Sequence, residues 1–98
     1  MRTPDAYTTE RTRLLHTFGA RLRAAREQQG LSQETLARRA DVHRTHIGAL
    51  EQGHRDPHLS MLLILAEHLA LPPAALLDGL PAPRERKPPT HAKHPISP

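Results

Sequence analysis

The stretch from Leu31 to Gly53 restricts the fold of this chain more than any other part of the sequence. It contains two short segments, residues 33–40 and 44–52, in which apolar residues recur at spacings of three and four. That spacing is the period of a helix and not of a strand. The apolar residues of the two segments are Leu36, Ala37, Ala40, Ile47 and Leu50. The sequence therefore predicts two helices joined by the few residues between 40 and 44.

The connection between these helices and the outer face of the second one suggest a motif. Asp41 lies in the connection, and aspartate is one of the few residues besides glycine that tolerate a left-handed backbone conformation. The outward side of the second segment is polar. A helix, a tight turn and a second helix with a polar outer face form a helix-turn-helix motif, whose second helix enters the major groove in DNA-binding proteins.

A longer set of residues, spread over roughly residues 18–77, matches a family pattern in register. These residues are Arg26, Gly30, Leu31, Ser32, Gln33, Leu36, Ala37, Val42, Ile47, Leu50, Glu51, Gly53, Pro57, Leu62, Ala66, Leu69 and Leu76. The segment resembles the phage-repressor-like family, the xenobiotic-response-element group of bacterial transcriptional regulators. The resemblance implies an all-α fold: a compact five-helix DNA-binding domain with disordered tails.

The second helix of the motif is the predicted recognition helix. Its outward residues Arg44, Thr45, Gly48 and Ala49 are the predicted base contacts, and members of the family use the positions of Arg44, Thr45 and Ala49 in this way. An arginine can bond guanine with two hydrogen bonds, while the methyl groups of threonine and alanine can contact the thymine methyl. The alternative is an ordinary solvated helix face. Gly48 is either neutral drift or a gap that lets the backbone approach DNA.

A second set of polar residues surrounds this face and is predicted to contact the DNA backbone. Gln33 begins the first helix of the motif, where free amide groups can meet a phosphate. The full set is Gln33, Arg38, His43, His46, Gln52, His54 and Arg55. His43 stands where the family usually has a small capping residue, so we expect this helix start to be slightly destabilised.

Arg26 and Glu51 are predicted to be structural. In similar proteins these positions form a largely buried ion pair that ties the first helix to the end of the third. Since an unpaired buried charge costs several kcal/mol, we expect the loss of either partner to destabilise the domain strongly.

Composition limits the functions that the chain can have. It has no cysteine, and its only aromatic residues are Tyr7 and Phe18, fewer than expected for stacking unpaired bases. No run of the sequence is apolar enough to span a membrane, and the missing cysteines fit a reducing cytoplasm, so we expect a cytoplasmic protein; the family resemblance implies a bacterial one. No catalytic arrangement stands out, so we expect no enzyme and no cofactor. His43, His46, His54 and His58 leave a zinc or pH-sensing site as a less favoured alternative to solvated histidines.

Charge is distributed unevenly along the chain. Its net charge is +4, yet residues 19–78 carry seven arginines against seven acidic residues. The excess lies mainly in residues 79–98, which also hold six prolines. We therefore predict three parts: a flexible tail over 1–13, with a frayed helix start as the alternative, the DNA-binding domain over 14–78, and a Pro-rich basic disordered tail over 79–98. Within the domain, helices are expected over about 14–29, 33–40, 44–52, 59–69 and 73–77, with Leu59 in the core.

Surplus apolar residues in the last two helices suggest self-association. The predicted dimer interface comprises Met61, Ile64, Ala74, Leu77 and Leu80, and the alternative is a locally apolar surface. A two-fold dimer would bind double-stranded DNA at a near-palindromic operator, with recognition helices about 34 Å apart. The rival hypothesis is a protein-interaction module, such as an antitoxin, that holds a partner protein through residues 79–98.

Overall fold

The computed structural model describes residues 6–84 of the chain, with side chains from Thr9 onward. Within that range the chain forms five helices: α1 (Ala6–Gln28), α2 (Gln33–Ala40), α3 (Arg44–Glu51), α4 (Leu59–His68) and α5 (Ala74–Leu77). The predicted five-helix, all-α architecture is confirmed. None of the helices between residues 6 and 84 has the length and apolarity that crossing a membrane requires.

The turn between α2 and α3 has the predicted local structure. Ser32 caps α2, since its hydroxyl accepts a hydrogen bond from the Thr35 N–H at 3.0 Å. Asp41 ends the helix with φ of 59° and ψ of 45°, a left-handed conformation. The next residue, Val42, donates its N–H to the Ala37 carbonyl at 2.9 Å, which closes the helix end. These signals are local, and the sequence therefore predicts both ends of α2 correctly.

The first helix begins at Ala6 and not near Leu14, so the prediction of a flexible tail over 1–13 is wrong for residues 6–13. Two contacts with distant parts of the chain lie along this extension. Arg11 forms an ion pair with Asp56 at 3.3 Å, and Glu10 accepts a hydrogen bond from the backbone N–H of Arg84. The local periodicity of the sequence does not indicate contacts between such distant residues. Residues 1–5 of the predicted tail lie outside the described residues.

The core forms where all five helices bring apolar side chains together. Its largest fully buried side chains are Leu22, Leu36, Ile47, Leu50, Leu65, Leu69 and Leu76. Leu59, predicted as a core residue, is 72% exposed and is the first residue of α4. On α1, Leu15 is buried, whereas the neighbouring Leu14 is only partly covered.

A close approach of α1 to α3 fixes the angle of the recognition helix. Gly19 lies at the crossing, and a Cβ atom there would sit 2.4 Å from the Glu51 carbonyl oxygen and 2.5 Å from that of Leu50. Only a residue without a side chain fits this position. No sequence pattern indicates the role of Gly19, because the space for a side chain at this position is limited by the backbone of another helix.

The segment after α5 folds back along α1. Leu80 is half-buried and packs against the core, and Arg84 forms an ion pair with Glu10 at 3.5 Å. The predicted disordered tail over 79–98 is therefore wrong for residues 79–84, which we call the C-terminal strap. The remaining tail residues, 85–98, lie outside the described residues.

Candidate nucleic-acid interface

The third helix divides into a buried face and an outward face. Ile47, Leu50 and Glu51 are buried against the other helices. On the opposite side Arg44 and Thr45 are exposed, whereas Gly48 and Ala49 are partly covered. The structure therefore brings the four predicted base-contact residues together on the side of α3 that faces away from the core. Their role in reading bases stays a prediction.

The start of α3 is capped by a histidine ring. His43 Nδ1 accepts a hydrogen bond from the Thr45 N–H at 3.2 Å and lies 2.9 Å from the Thr45 hydroxyl oxygen. His43 therefore caps α3 with a ring nitrogen in place of the usual side-chain oxygen, and the slight destabilisation expected for this helix start is untested. The same contact holds Thr45 in place at the end of the helix that would meet DNA first.

The side-chain contact predicted between Arg26 and Glu51 is present and buried. Arg26 Nε donates to Glu51 Oε2 at 2.5 Å, and Nη2 donates to Oε1 at 3.1 Å. A third bond runs from Arg26 Nη1 to the Leu31 carbonyl at 2.8 Å. The hydrogen bond with Glu51 raises the pKa of Arg26, which outweighs the opposing effect of burial. The guanidinium thus links α1, the turn before α2 and the end of α3.

Gln33 joins this network, which the sequence did not predict. Its Nε2 donates to Glu51 Oε1 at 2.9 Å, so one amide hydrogen is committed inside the domain. Gln33 also lies beside Gly48: a Cβ atom at Gly48 would meet the Gln33 amide at 3.8 Å, an ordinary contact distance. The amide therefore bridges the start of α2 and the middle of α3. Its predicted contact with the DNA backbone is untested.

The predicted backbone contacts surround the outward face of α3. Arg38, Gln52, His54 and Arg55 are exposed, and His46 is half-buried. Neither Arg38, Arg44 nor Arg55 forms an ion pair with any residue in 9–84. These guanidinium groups are available to phosphates or base edges. By contrast, Arg11, Arg23 and Arg26 are each paired with a carboxylate.

The histidines do not assemble into a metal centre in the described part of the chain. Between residues 9 and 84, no group of three or more potential ligands lies close enough to hold a metal ion. His43 is used as a helix cap, as described above. His16, on α1, packs against Gly53, where a Cβ atom would come within 3.0 Å of it.

The apolar surface differs in part from the predicted dimer interface. Ile64 and Leu77 are 38% and 45% exposed, and Ala74 is exposed as well. Met61 and Leu80 are partly buried against the core of their own chain, and the predicted role of the five residues in a dimer interface is untested. Leu59 and Leu63, which were not part of the predicted dimer interface, are exposed on α4. A groove of about 270 Å³ lies between α1, α4 and α5, with Leu59 and Leu77 among its lining residues.

Comparison with known proteins identifies a family and several relatives of this chain. The HTH_3 family model, described as helix-turn-helix, matches residues 22–76. The chain is 38% identical over 71 residues to the control protein C.BamHI of Bacillus amyloliquefaciens, covering 71% of this chain and 85% of that protein. It is 46% identical over 48 residues to the control protein C.SmaI of Serratia marcescens, covering 49% of this chain and 57% of that protein.

A solved structure agrees with these sequence relatives. The restriction-modification controller protein C.AhdI from Aeromonas hydrophila superposes on the chain with a TM-score of 0.62 and 44% identity. The match covers 63% of this chain and 94% of that one. The residues of this chain that fall outside the family model include the first two thirds of α1 and the C-terminal strap.

Proposed function

The chain belongs to the HTH_3 helix-turn-helix family of DNA-binding transcriptional regulators, and on that premise we propose that it reads a specific double-stranded operator through α3 as a homodimer. One observation carries the proposal. The outward face of α3 bears the unpaired Arg44 beside a capped helix start, while the opposite face is fixed by the buried pair of Arg26 and Glu51. A rigid helix with a free guanidinium at its start suits base readout in the major groove.

Residue roles follow from position on this face. We assign base contacts to Arg44, Thr45, Gly48 and Ala49. Contacts with the DNA backbone are assigned to Gln33, Arg38, His43, His46, Gln52, His54 and Arg55. The balanced charge of residues 19–78 means that binding depends on where these cations lie and not on a general excess of them. We place this activity in the bacterial cytoplasm, and no residue is given a catalytic role.

Two-fold symmetry is the second part of the proposal. A single recognition helix covers few base pairs, and dimers commonly supply the second half-site. Four large apolar side chains are exposed on α4 and α5, namely Leu59, Leu63, Ile64 and Leu77. We propose that this face, together with Ala74, pairs with a second copy and sets the recognition helices about one DNA turn apart.

The named relatives suggest which genes are controlled. C.BamHI and C.SmaI are control proteins, and C.AhdI is a restriction-modification controller protein. We therefore propose that this chain controls restriction-modification genes in the genome that encodes it. Selection of bound fragments from that genome by the purified chain tests the idea. Enrichment of DNA upstream of such genes supports it, and enrichment only elsewhere contradicts it.

Two substitutions separate base readout from backbone contact. Arg44→Gln removes the proposed guanine contact, so affinity for the selected operator should fall by about 1–3 kcal/mol and preference at one base position should relax. Arg55→Gln removes a proposed phosphate contact, so binding to all sequences should weaken and the salt dependence should flatten by about one unit of slope. Arg23→Gln is the matched control, because Arg23 lies on α1, away from α3, and is already paired with Glu27 of the same helix.

The rival function, capture of a protein partner through residues 79–98, is not favoured by these relatives. The structure also determines which truncation can test this rival function. Residues 79–84 pack along α1, so a truncation at Gly79 would disturb the domain itself. Removal of residues 85–98 alone is the cleaner test. Operator affinity that falls evenly across sequences identifies the segment as an electrostatic arm, whereas unchanged DNA binding with loss of a captured protein supports the rival.

A further inference from the structure

A cleft between α1 and the C-terminal strap is lined by none of the residues proposed to contact DNA or a second copy. Its volume is about 360 Å³, and it is lined by five residues of α1 between Glu10 and Arg21 and by residues 79–83 of the strap. All of these residues lie outside residues 22–76, the part of the chain that the family model matches. The cleft is therefore a feature of this chain's own additions to the common domain.

The polar lining of the cleft has an excess of positive charge. Glu10 is its only acidic residue, and both carboxylate oxygens are occupied by Arg84, one by the backbone N–H and the other by the guanidinium at 3.5 Å. Arg13 has no carboxylate partner in the described part of the chain. Arg21 donates Nη1 to the Leu76 carbonyl at 3.5 Å, so its charge is likewise not balanced there by an acid.

The remaining lining explains which part of a ligand would fit. Leu14, Leu80 and the ring faces of Pro81 and Pro83 form apolar walls. The Thr17 hydroxyl donates to the Arg13 carbonyl at 3.0 Å, so its hydrogen is already committed. Recognition of a negative charge therefore falls to the two guanidinium groups, which can bond a carboxylate in a planar, two-pronged arrangement.

From these features we infer that the cleft binds a small organic carboxylate with an aromatic or aliphatic body. The carboxylate bonds Arg13, with Arg21 adding a second positive charge further along α1, and the apolar body lies between Leu14 and the proline rings. Leu14 and Leu80 also line the groove beside α4 and α5. An occupied cleft thus holds the strap and Leu80 against α1, next to the face proposed for dimerisation. The inference does not require that the chain bind DNA.

Benzoate is a suitable probe, and benzamide is its uncharged counterpart of nearly the same shape. Titration of the full chain with each compound, followed by ¹H–¹⁵N NMR, locates the site through the backbone amides. We expect benzoate to give saturable shifts confined to residues 10–21 and 79–84. Benzamide should bind at least about tenfold more weakly, since it lacks the charge that the guanidinium groups recognise.

Variants on α1 decide whether the arginines act as proposed. Arg13→Gln changes an exposed residue and should weaken benzoate binding about tenfold. Arg23→Gln, on another face of α1 and outside the cleft, should leave it unchanged. The inference is overturned if benzoate and benzamide bind with equal affinity, or if benzoate gives no shifts. It is also overturned if the shifts are centred on Leu59 and Leu63, or if the Arg13→Gln chain binds benzoate normally. Circular dichroism of both variants checks that the fold is retained.

Discussion

Glu51 is the residue on which three helices depend. Its carboxylate accepts hydrogen bonds from Arg26 on α1 and from Gln33 on α2, while Glu51 itself ends α3. We expect Glu51→Ala to lower the free energy of unfolding by about 3–5 kcal/mol, since it leaves the buried Arg26 charge without a partner. Urea denaturation followed by circular dichroism measures the change.

The control for this variant is Glu27→Ala. Glu27 also pairs with an arginine of α1, at 3.1 Å, but both side chains are more than half exposed. An exposed pair of this kind contributes at most about 0.5–1 kcal/mol. If Glu51→Ala and Glu27→Ala lower the free energy of unfolding by similar amounts, burial does not determine how much the pair of Arg26 and Glu51 contributes to stability.

Gly48 offers a test in which stability and function move in opposite directions. A methyl group at this position meets only the Gln33 amide, at 3.8 Å or more, so the helix can accept it. Gly48→Ala should therefore stabilise the free chain by up to about 1 kcal/mol through helix propensity. If the α3 backbone approaches DNA at this point, the same methyl group should weaken operator binding at least tenfold, as measured by fluorescence anisotropy. Unchanged affinity would identify Gly48 as neutral drift.

At the scale of the helices, Gly19 sets the distance between α1 and α3. A methyl group there would overlap the backbone carbonyls of Leu50 and Glu51, which cannot rotate away as a side chain can. Gly19→Ala should lower the unfolding free energy by about 1–3 kcal/mol, despite the higher helix propensity of alanine. Thermal and urea unfolding should be measured for Gly19→Ala and Gly48→Ala together. Both variants replace glycine by alanine within a helix, but Gly19→Ala should lower stability and Gly48→Ala should raise it. Stabilisation by Gly19→Ala would mean that the two helices lie further apart.

The same scale shows why some elements were predictable and others were not. Both ends of α2 follow from Ser32 and Asp41, whose effects act within a few residues. The start of α1 was missed because its extension contacts Asp56 and Arg84, residues 45 and 74 positions away. The helical spacing of Leu59 and Leu62 likewise predicted that Leu59 lies in the core, yet Leu59 is the first residue of α4 and is 72% exposed.

The candidate site was predictable to the extent that it depends on helical periodicity. The spacing of Ile47 and Leu50 fixes which side of α3 is buried, and therefore which residues face outward. Side-chain partners were harder to foresee. The bond from Gln33 to Glu51 joins residues 18 positions apart, and the ring of His43 substitutes for a short capping side chain. Neither follows from spacing alone.

At the scale of the whole molecule, apolar surface and charge point to assembly on DNA. The described chain leaves four large apolar side chains exposed on α4 and α5, and exposed apolar surface of sufficient extent marks an interaction site. Residues 19–78 meanwhile have no net charge, so a lone domain has little general attraction for DNA. Pairing two copies doubles the correctly placed cations without changing the charge balance of either copy. We therefore expect the proposed dimerisation to be the step that gives the domain a useful affinity.

Leu77→Glu tests this step. Leu77 is 45% exposed in the single chain, so a carboxylate there remains hydrated in the monomer but would be buried unpaired in a dimer. We expect sedimentation equilibrium at tens of micromolar to change from dimer to monomer, and operator affinity to fall by more than tenfold, with the circular dichroism spectrum retained. Gln28→Glu, which adds the same charge at the exposed end of α1, should alter neither property. A wild-type chain that stays monomeric both free and on the operator would rule out the two-fold assembly, and the recognition helix would then have to bind a single half-site.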